Sequence, residues 1–408
     1  MVQEENIDPS IPKGEGKGEG KGEESVTRLC YRVRLYPTKT QIKDLEAILS
    51  VCRTFYNGLL HERKAGHEND HKVTKKEQLR RVKELKDVRP EAKGIHSHIL
   101  QVVVADIDKA FQNFFRRVKA GEKPGYPRYK GAEQFDSFGL KELDNGFQID
   151  GRRLKISGVG RIAVRWHRET PGRIKTVRIM RQAGKWYACF ACACQAELLP
   201  ATGKVVGIDV GISHLLATSD GEFVENPRWY RTGEKALCRL QRRVARKKKG
   251  GKNRRKSVVQ LQRHHERVKN RRQDFLNKVA HRLISQYDAL ALENLRIANM
   301  VRNAHLSKSI LDAGWGYFLQ RLHSKAERAG RVVELVNPAY TSKSCSCCGG
   351  VFADLTLSDR WVDCACGLSL DRDTNAAINI LGRAGFGQNL WSLTQSSGSS
   401  VGQEAAAL

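Results

Sequence analysis

Long apolar runs are missing from this chain. No stretch approaches the ~18 to 20 consecutive apolar residues that a membrane-spanning helix needs, which argues against helical insertion into a bilayer. The start of the chain lacks the basic patch and apolar stretch of a signal peptide, because MVQEENIDPS is acidic and polar. Acids are also in short supply: 44 Asp and Glu stand against 72 Lys and Arg, a formal net charge of +28. Such an excess repels itself unless a polyanion neutralises part of it, so nucleic acid is the expected partner and a membrane is not. A disulfide framework is the third absence. Eleven cysteines is an odd number without an export signal, and thiolate metal ligation is the better use of them. A soluble, cytoplasmic, nucleic-acid-binding protein is expected.

At 408 residues the chain has room for two or three domains with their own cores. Residues 1–26 contain a KGEG repeat with almost no apolar content, which cannot offset the entropy of ordering a backbone, so they read as a disordered tail. The alternation of Tyr31, Val33 and Leu35 predicts a strand. Pro37 and Thr38 then open an amphipathic helix with Ile42, Leu45, Leu49, Cys52, Tyr56 and Leu59 on one side. Helices continue to about residue 119, where FFRRVKAGEKPGYPRYK stops them with its glycines and prolines. From about 133 to 198, short alternating runs between glycine-bearing turns predict a small β-barrel or sheet. Its CFACAC run resembles a metal knuckle. However, Tyr187, Cys189, Ala191 and Ala193 alternate with Ala188, Phe190, Cys192 and Cys194 as in a two-faced strand, and no second cysteine pair lies nearby. From Val205 strands and helices alternate, with a basic helical stretch from about 234 to 287 and a helix around Leu311 to Ala329, which predicts an α/β core. Residues 384–408 read as a flexible tail.

Three acids stand out. Asp209 lies in VVGIDVGI and Glu293 in ALALENL, each interrupting an apolar strand where a charge is costly unless a cation compensates it. Asp373 begins the helix in DRDTNAAINIL, where Asp371 competes with it; the helix-capping role is the preferred reading of Asp371. Two strands and a helix can bring such acids to one point, and a set of carboxylates clamping divalent cations is what metal-dependent phosphodiester hydrolysis needs. A second cluster is Cys345-Ser-Cys-Cys348 followed by Cys364-Ala-Cys366, near the two-knuckle spacing of a zinc ribbon. Adjacent cysteines rarely ligate together, so Cys345, Cys348, Cys364 and Cys366 are assigned to a structural zinc, with Cys347 as a substitute for Cys348. Finally, sixteen lysines and arginines and a single acid, Glu266, fall between Arg239 and Arg272. An apolar stripe through Leu237, Leu240, Val244, Leu261 and Val268 implies two basic helices joined near KKKGGKNRRK. A density of charge beyond an ordinary solvated face points to phosphate contact by Arg243, Lys248, Arg254 and Arg255.

RLYPTKTQ, FYNGLL, FFRRVKAGEKPGYPRYK, GIDVGI, RRQDFLNKVA, ALENL, SKSILDAGWGYF, YTSKSCSCCG and DRDTNAAINI occur in this order over about residues 29–383. The set resembles the TnpB family, the OrfB/IS605-type RNA-guided DNA endonucleases of insertion sequences, related to type V CRISPR effectors. The resemblance implies a prokaryotic, nucleoid-associated enzyme with an RNase H-like (RuvC) nuclease domain at 201–383. Its acids match Asp209, Glu293 and Asp373, with Asp373 preferred because it directly precedes the TNAA helix, and they would hold two magnesium ions. It further implies a wedge β-barrel from residues 27–40 and 129–200, a helical recognition domain over 41–128, and a zinc ribbon inserted at 338–370. Guide RNA and target DNA are the implied partners, with base pairing reading the target and the protein holding the heteroduplex by its backbone. The alternatives are a nuclease-inactive guided repressor and a transposase accessory DNA-binding protein. A DDE-type transposase fits less well, since its acids run Asp, Asp, Glu and these run Asp, Glu, Asp.

Overall fold

The computed structural model describes residues 26–386 except 171 and 357. Both expected tails lie outside the described residues, apart from their inner ends. Val26 already belongs to the first strand, and Phe386 is only 2% exposed, packed against Ala289, Ala291 and Ile380.

The first half pairs a long sheet with a helical layer. Strand β1 (Val26–Tyr36) leads through Thr38 into α1 (Lys39–Glu68). The Thr38 hydroxyl accepts from the Gln41 amide at 3.3 Å while the Gln41 side chain accepts from the Thr38 amide at 3.0 Å, a reciprocal cap that the YPTKTQ sequence encodes. Helices α2 (Lys75–Val88), the single turn α3 (Pro90–Lys93) and α4 (Ser97–Lys119) follow. Then come β2 (Ser137–Leu140), β3 (Glu142–Leu143), β4 (Gly146–Asp150), β5 (Arg153–Ile156), β6 (Gly160–Arg165), β7 (Arg173–Gln182) and β8 (Lys185–Gln195).

These strands order as β2-β7-β8-β1-β6-β5-β4-β3. The two edge strands β2 and β3 are separated only by Lys141, so the sheet curls into a nearly closed barrel. In β8, Trp186, Ala188, Phe190, Cys192 and Cys194 are buried and the residues between them are half-buried, so the CFACAC run is a two-faced strand, as its alternation predicts. The barrel interior (Leu35, Phe138, Leu154, Phe190) is continuous with the inner faces of α1 and α4 (Leu45, Leu49, Leu60, Leu100, Ile107), so barrel and helices bury one common core.

The second half is a five-stranded sheet between helices. Its elements are β9 (Val205–Val210), β10 (His214–Thr218), β11 (Phe223–Glu225), α5 (Trp229–Ala245), α6 (Lys252–Gln286), β12 (Ala289–Glu293), α7 (Ile297–Met300), α8 (Ala304–Ala313) and α9 (Trp315–Ala329). Next come β13 (Val332–Val336), the short pair β14 (Trp361–Asp363) and β15 (Ser369–Asp371), and α10 (Arg372–Arg383). The order is β11-β10-β9-β12-β13, antiparallel through β9 and parallel from β9 to β13. The helix expected around Leu311 to Ala329 is two helices: Gly314 takes a left-handed φ of +74°, which ends α8 and lets α9 start in a new direction.

Strand parity divides the sheet's faces. Val206, Ile208, Leu290 and Leu292 pack under α6, α8 and α9, while Val205, Ala289 and Ala291 face the cluster that contains Ile380 and Leu381 of α10. Gly207 is on the α10 side, and the contact there is tight. A Cβ added to Gly207 would lie 2.0 Å from the Ala377 carbonyl oxygen, so only glycine lets α10 cross β9 at this distance.

Candidate active site and metal centre

Two residues beyond Gly207, the same parity puts Asp209 on the α10 face, at the carboxyl end of β9. Glu293 ends β12 two residues beyond Ala291 and on that same face. Because Leu292 is the register partner of Ile208, the two acids stand side by side on neighbouring parallel strands. The carboxyl ends of parallel strands are where open α/β sheets place their ligands. Asp373 arrives from above, in the first turn of α10.

All three acids are half-buried. Burial pushes the Asp209 carboxyl up to about 8, and the negative charges of Glu293 and Asp373 add to that, against the opposing pull of Arg372. Glu293 is also held above its ordinary value by burial, opposed by a hydrogen bond from the Thr341 hydroxyl and by the charge of Arg383. Asp209 thus feels the charges of both other acids, opposed only in part by Arg372. Asp371 stands apart in role. Its carboxylate accepts from the amides of Asp373 at 2.9 Å and Thr374 at 3.1 Å, the N-cap that sequence assigned to it.

Several supporting residues escaped the sequence reading. Asn375 donates to the Ser344 carbonyl at 2.8 Å and accepts from the Ser346 amide at 2.9 Å, while Asn379 donates to the carbonyls of Thr341 at 2.9 Å and Ser344 at 2.7 Å. These two asparagines, one helical turn apart on α10, tie down the segment that carries Thr341 to Glu293. Their spacing in TNAAIN was the available signal.

The four cysteines chosen by spacing converge. Ligand atoms of Cys345, Cys348, Cys364 and Cys366 all lie within 4.8 Å of one another, and among the described residues no other set of three or more His, Cys, Asp or Glu is so tight, the three carboxylates included. The Cys345 and Cys366 sulfurs are 3.7 Å apart and those of Cys348 and Cys364 3.5 Å. Zn–S bonds of about 2.3 Å at tetrahedral angles put sulfurs about 3.8 Å apart, so this cluster fits a zinc-sized ion. Cys347 is exposed and outside it. Left-handed glycines, Gly349 at φ +75° and Gly367 at +92°, turn the chain behind each cysteine pair.

The basic helices form the expected hairpin, α5 and α6 joined through residues 246–251. Arg243 and Lys248 are exposed on it; Arg254 is half-buried, and Arg255 pairs with Glu133 at 3.7 Å. The single acid between Arg239 and Arg272 has a structural use. Glu266, 6% exposed, meets Arg32 at 3.4 Å, Lys185 at 3.3 Å and the Tyr187 hydroxyl at 3.1 Å, fastening α6 to the barrel.

Comparison with known proteins shows the family and the shared fold. A family model described as "Probable transposase", of the OrfB/IS605 type, matches residues 191–304. One described as "Cas12f1-like, TNB domain" matches 315–380, and a "Helix-turn-helix domain" model of the OrfB/IS605 set matches 27–72. A Streptomyces pristinaespiralis protein named "Putative RNA-guided DNA endonuclease" is 32% identical over 359 residues, spanning 86% of this chain and 88% of its own length. The chain belongs to the TnpB family. The Escherichia coli K12 protein named "Putative RNA-guided DNA endonuclease InsQ" is 28% identical over 373 residues, covering 86% of this TnpB-family chain and 91% of that protein. The fold is shared with Cas12f1, solved by cryo-EM as a complex with sgRNA and target DNA, at a TM-score of 0.55 and 15% identity over 84% of this chain and 82% of that one. The region matched as a helix-turn-helix is here a strand, β1, and one 30-residue helix, α1, with the turn after it. No helix among the described residues is long and apolar enough to cross a membrane.

Proposed function

We propose that this TnpB-family chain is an RNA-guided DNA endonuclease whose phosphodiester chemistry is carried by Asp209, Glu293 and Asp373 in an RNase H-like (RuvC) centre. The observation that carries the reading is the convergence of three half-buried acids on the α10 face, close enough for two of them to raise the third. The mixed sheet with its acids at the carboxyl ends of parallel strands supports it, as do the names of the TnpB relatives. Mutually repelling carboxylates are a donor set that divalent cations such as magnesium fit. Bound there, such ions would activate water and stabilise the leaving oxygen. The protein's own part is placement. Gly207 admits α10, the Asp371 cap leaves the Asp373 carboxylate uncommitted to the helix end, and Thr341 orients Glu293.

In this reading residues 27–40 and 129–200 are a wedge barrel, 41–128 a recognition domain, and 201–383 the nuclease domain with its zinc ribbon at 338–370. Guide RNA and target DNA are held in part by Arg243, Lys248, Arg254 and Arg255 on the hairpin. The test is cleavage of guide-matched DNA by the purified protein–RNA complex with magnesium. Asp209→Ala is expected to abolish cutting, by a factor of roughly 10³ or more, while leaving DNA binding intact. Undiminished cleavage by that variant would refute the assignment. Binding without cleavage by the unsubstituted complex would leave a guided DNA-binding protein.

A further inference from the structure

Beyond the two polar centres, the least expected surface lies at the C-terminal end of α4. Phe115 is 56% exposed, Tyr129 45% and Tyr126 39%, three large aromatics shown to solvent within one short stretch. They are connected, not scattered. Tyr126 stands edge-on to Phe111 and Phe114, with ring centroids 5.6 and 5.2 Å away, and Phe115 lies 5.2 Å from Phe114. Phe111 is itself a core residue at 7% exposure, so the aromatic layer is rooted in the interior and continues outward.

A second element frames the layer. The Lys64 ammonium, from α1, sits 4.7 Å from the centroid of Tyr129 and 5.5 Å from that of Tyr126, and the Tyr129 hydroxyl is 3.4 Å from His61 Nδ1. The surrounding charge is predominantly positive: Arg116 to Lys130 contains six lysines and arginines and one acid, Glu122. Exposed rings alone would suit an apolar partner, but such a partner would gain little from a rim of cations. A duplex satisfies the cations yet hides its base faces in the stack. A strand with unpaired bases satisfies both, since bases stack on rings while phosphates meet the ammonium and guanidinium groups.

We propose that Phe115, Tyr126 and Tyr129, framed by Lys64, form a stacking platform for unpaired bases of a single-stranded nucleic-acid segment, with Arg117, Lys119, Lys123 and Arg128 beside its phosphates. The proposal rests on the nucleic-acid-binding part of the reading above and not on cleavage.

The test uses the whole protein in EDTA, where a failure to cut DNA has no bearing. Single-stranded DNA and RNA oligonucleotides carrying 5-iodouracil are bound and irradiated, and the crosslinked peptides are mapped by mass spectrometry. Crosslinks concentrated at Phe115 and at Tyr126 to Tyr129 are expected. Tyr129→Leu and Phe115→Leu, both at exposed positions, should each lower that yield about tenfold, with unchanged melting by circular dichroism. A blunt duplex carrying the same base should not label the platform. The relative yields of the DNA and RNA arms identify which strand it prefers. Labelling confined to other peptides, equal labelling of the leucine variants, or equal labelling by the duplex would each overturn the proposal.

Discussion

The carboxylate and thiolate centres both lean on α10, yet they are assembled by opposite means. Cys345, Cys348, Cys364 and Cys366 meet through two local knuckles and a short hairpin that ends at Asp371. Asp209, Glu293 and Asp373 share no local structure; register between β9 and β12, strand parity and the close crossing of α10 bring them together. A site of the first kind survives damage elsewhere in the fold. A site of the second kind is as fragile as the packing that creates it.

The sharpest way to break this contrast is Gly207→Ala, which puts a methyl group against the Ala377 carbonyl and must lift α10 from the sheet. Overpacking of this kind costs about 1 to 3 kcal/mol or more. A lowered melting midpoint with a hundredfold or greater fall in cleavage is expected, because Asp373 is carried away from β9 and β12; the cysteine pairs are tied to α10 and to one another and move with it, so metal analysis should still find zinc. Retained cleavage would show that the acids do not depend on that crossing.

Asp209→Asn probes the same centre from its charge. A carboxyl held near 8 instead of its ordinary 3.8 keeps its proton in the folded state where the unfolded chain has released it. Stability in EDTA therefore falls as pH rises through that window, by at most about 1.4 kcal/mol per pH unit, and levels off above it. The asparagine variant should lose this slope, so that it melts higher than the unsubstituted protein at pH 8 but not at pH 4, and magnesium should narrow the gap. Parallel melting curves across pH would contradict the burial of charge at this position.

For the thiolates, Cys364→Ser should reduce bound zinc from about one ion per chain to near none, read by metal analysis of folded protein. Equal zinc in both proteins would show that these sulfurs are not the ligands. The smallest effect is expected from Asp371→Ala, about 1 kcal/mol of stability for a lost cap, with cleavage within a few-fold of normal. Loss of cleavage as complete as in Asp209→Ala would make Asp371 a metal ligand and not a cap.

Elements with strong periodicity or special residues were legible without coordinates. The CFACAC strand, the capped start of α1, the basic hairpin and the cysteine set all follow from spacing, because each is decided by residues close in sequence. The split between α8 and α9 was missed, since a helical pattern runs through Gly314 and only its left-handed backbone breaks it. The inner end of the C-terminal tail was misjudged for a related reason: Phe386 is a single aromatic between two glycines, and what buries it comes from β12 and α10.

Sequence by itself determined the family, the charge that calls for a polyanion, the two cysteine pairs of the thiolate set save for the choice of Cys348 over Cys347, and which acids were too costly to leave in apolar strands without a purpose. Tertiary structure alone decided that Asp209 and Glu293 share a face, that Gly207 is the hinge of their meeting with Asp373, that Thr341 serves Glu293, and that Glu266 fastens the basic hairpin to the barrel. The physical reason is range. Turns, caps and knuckles are settled by bonds among near neighbours, whereas a cluster of like charges exists only where packing over the whole domain forces it.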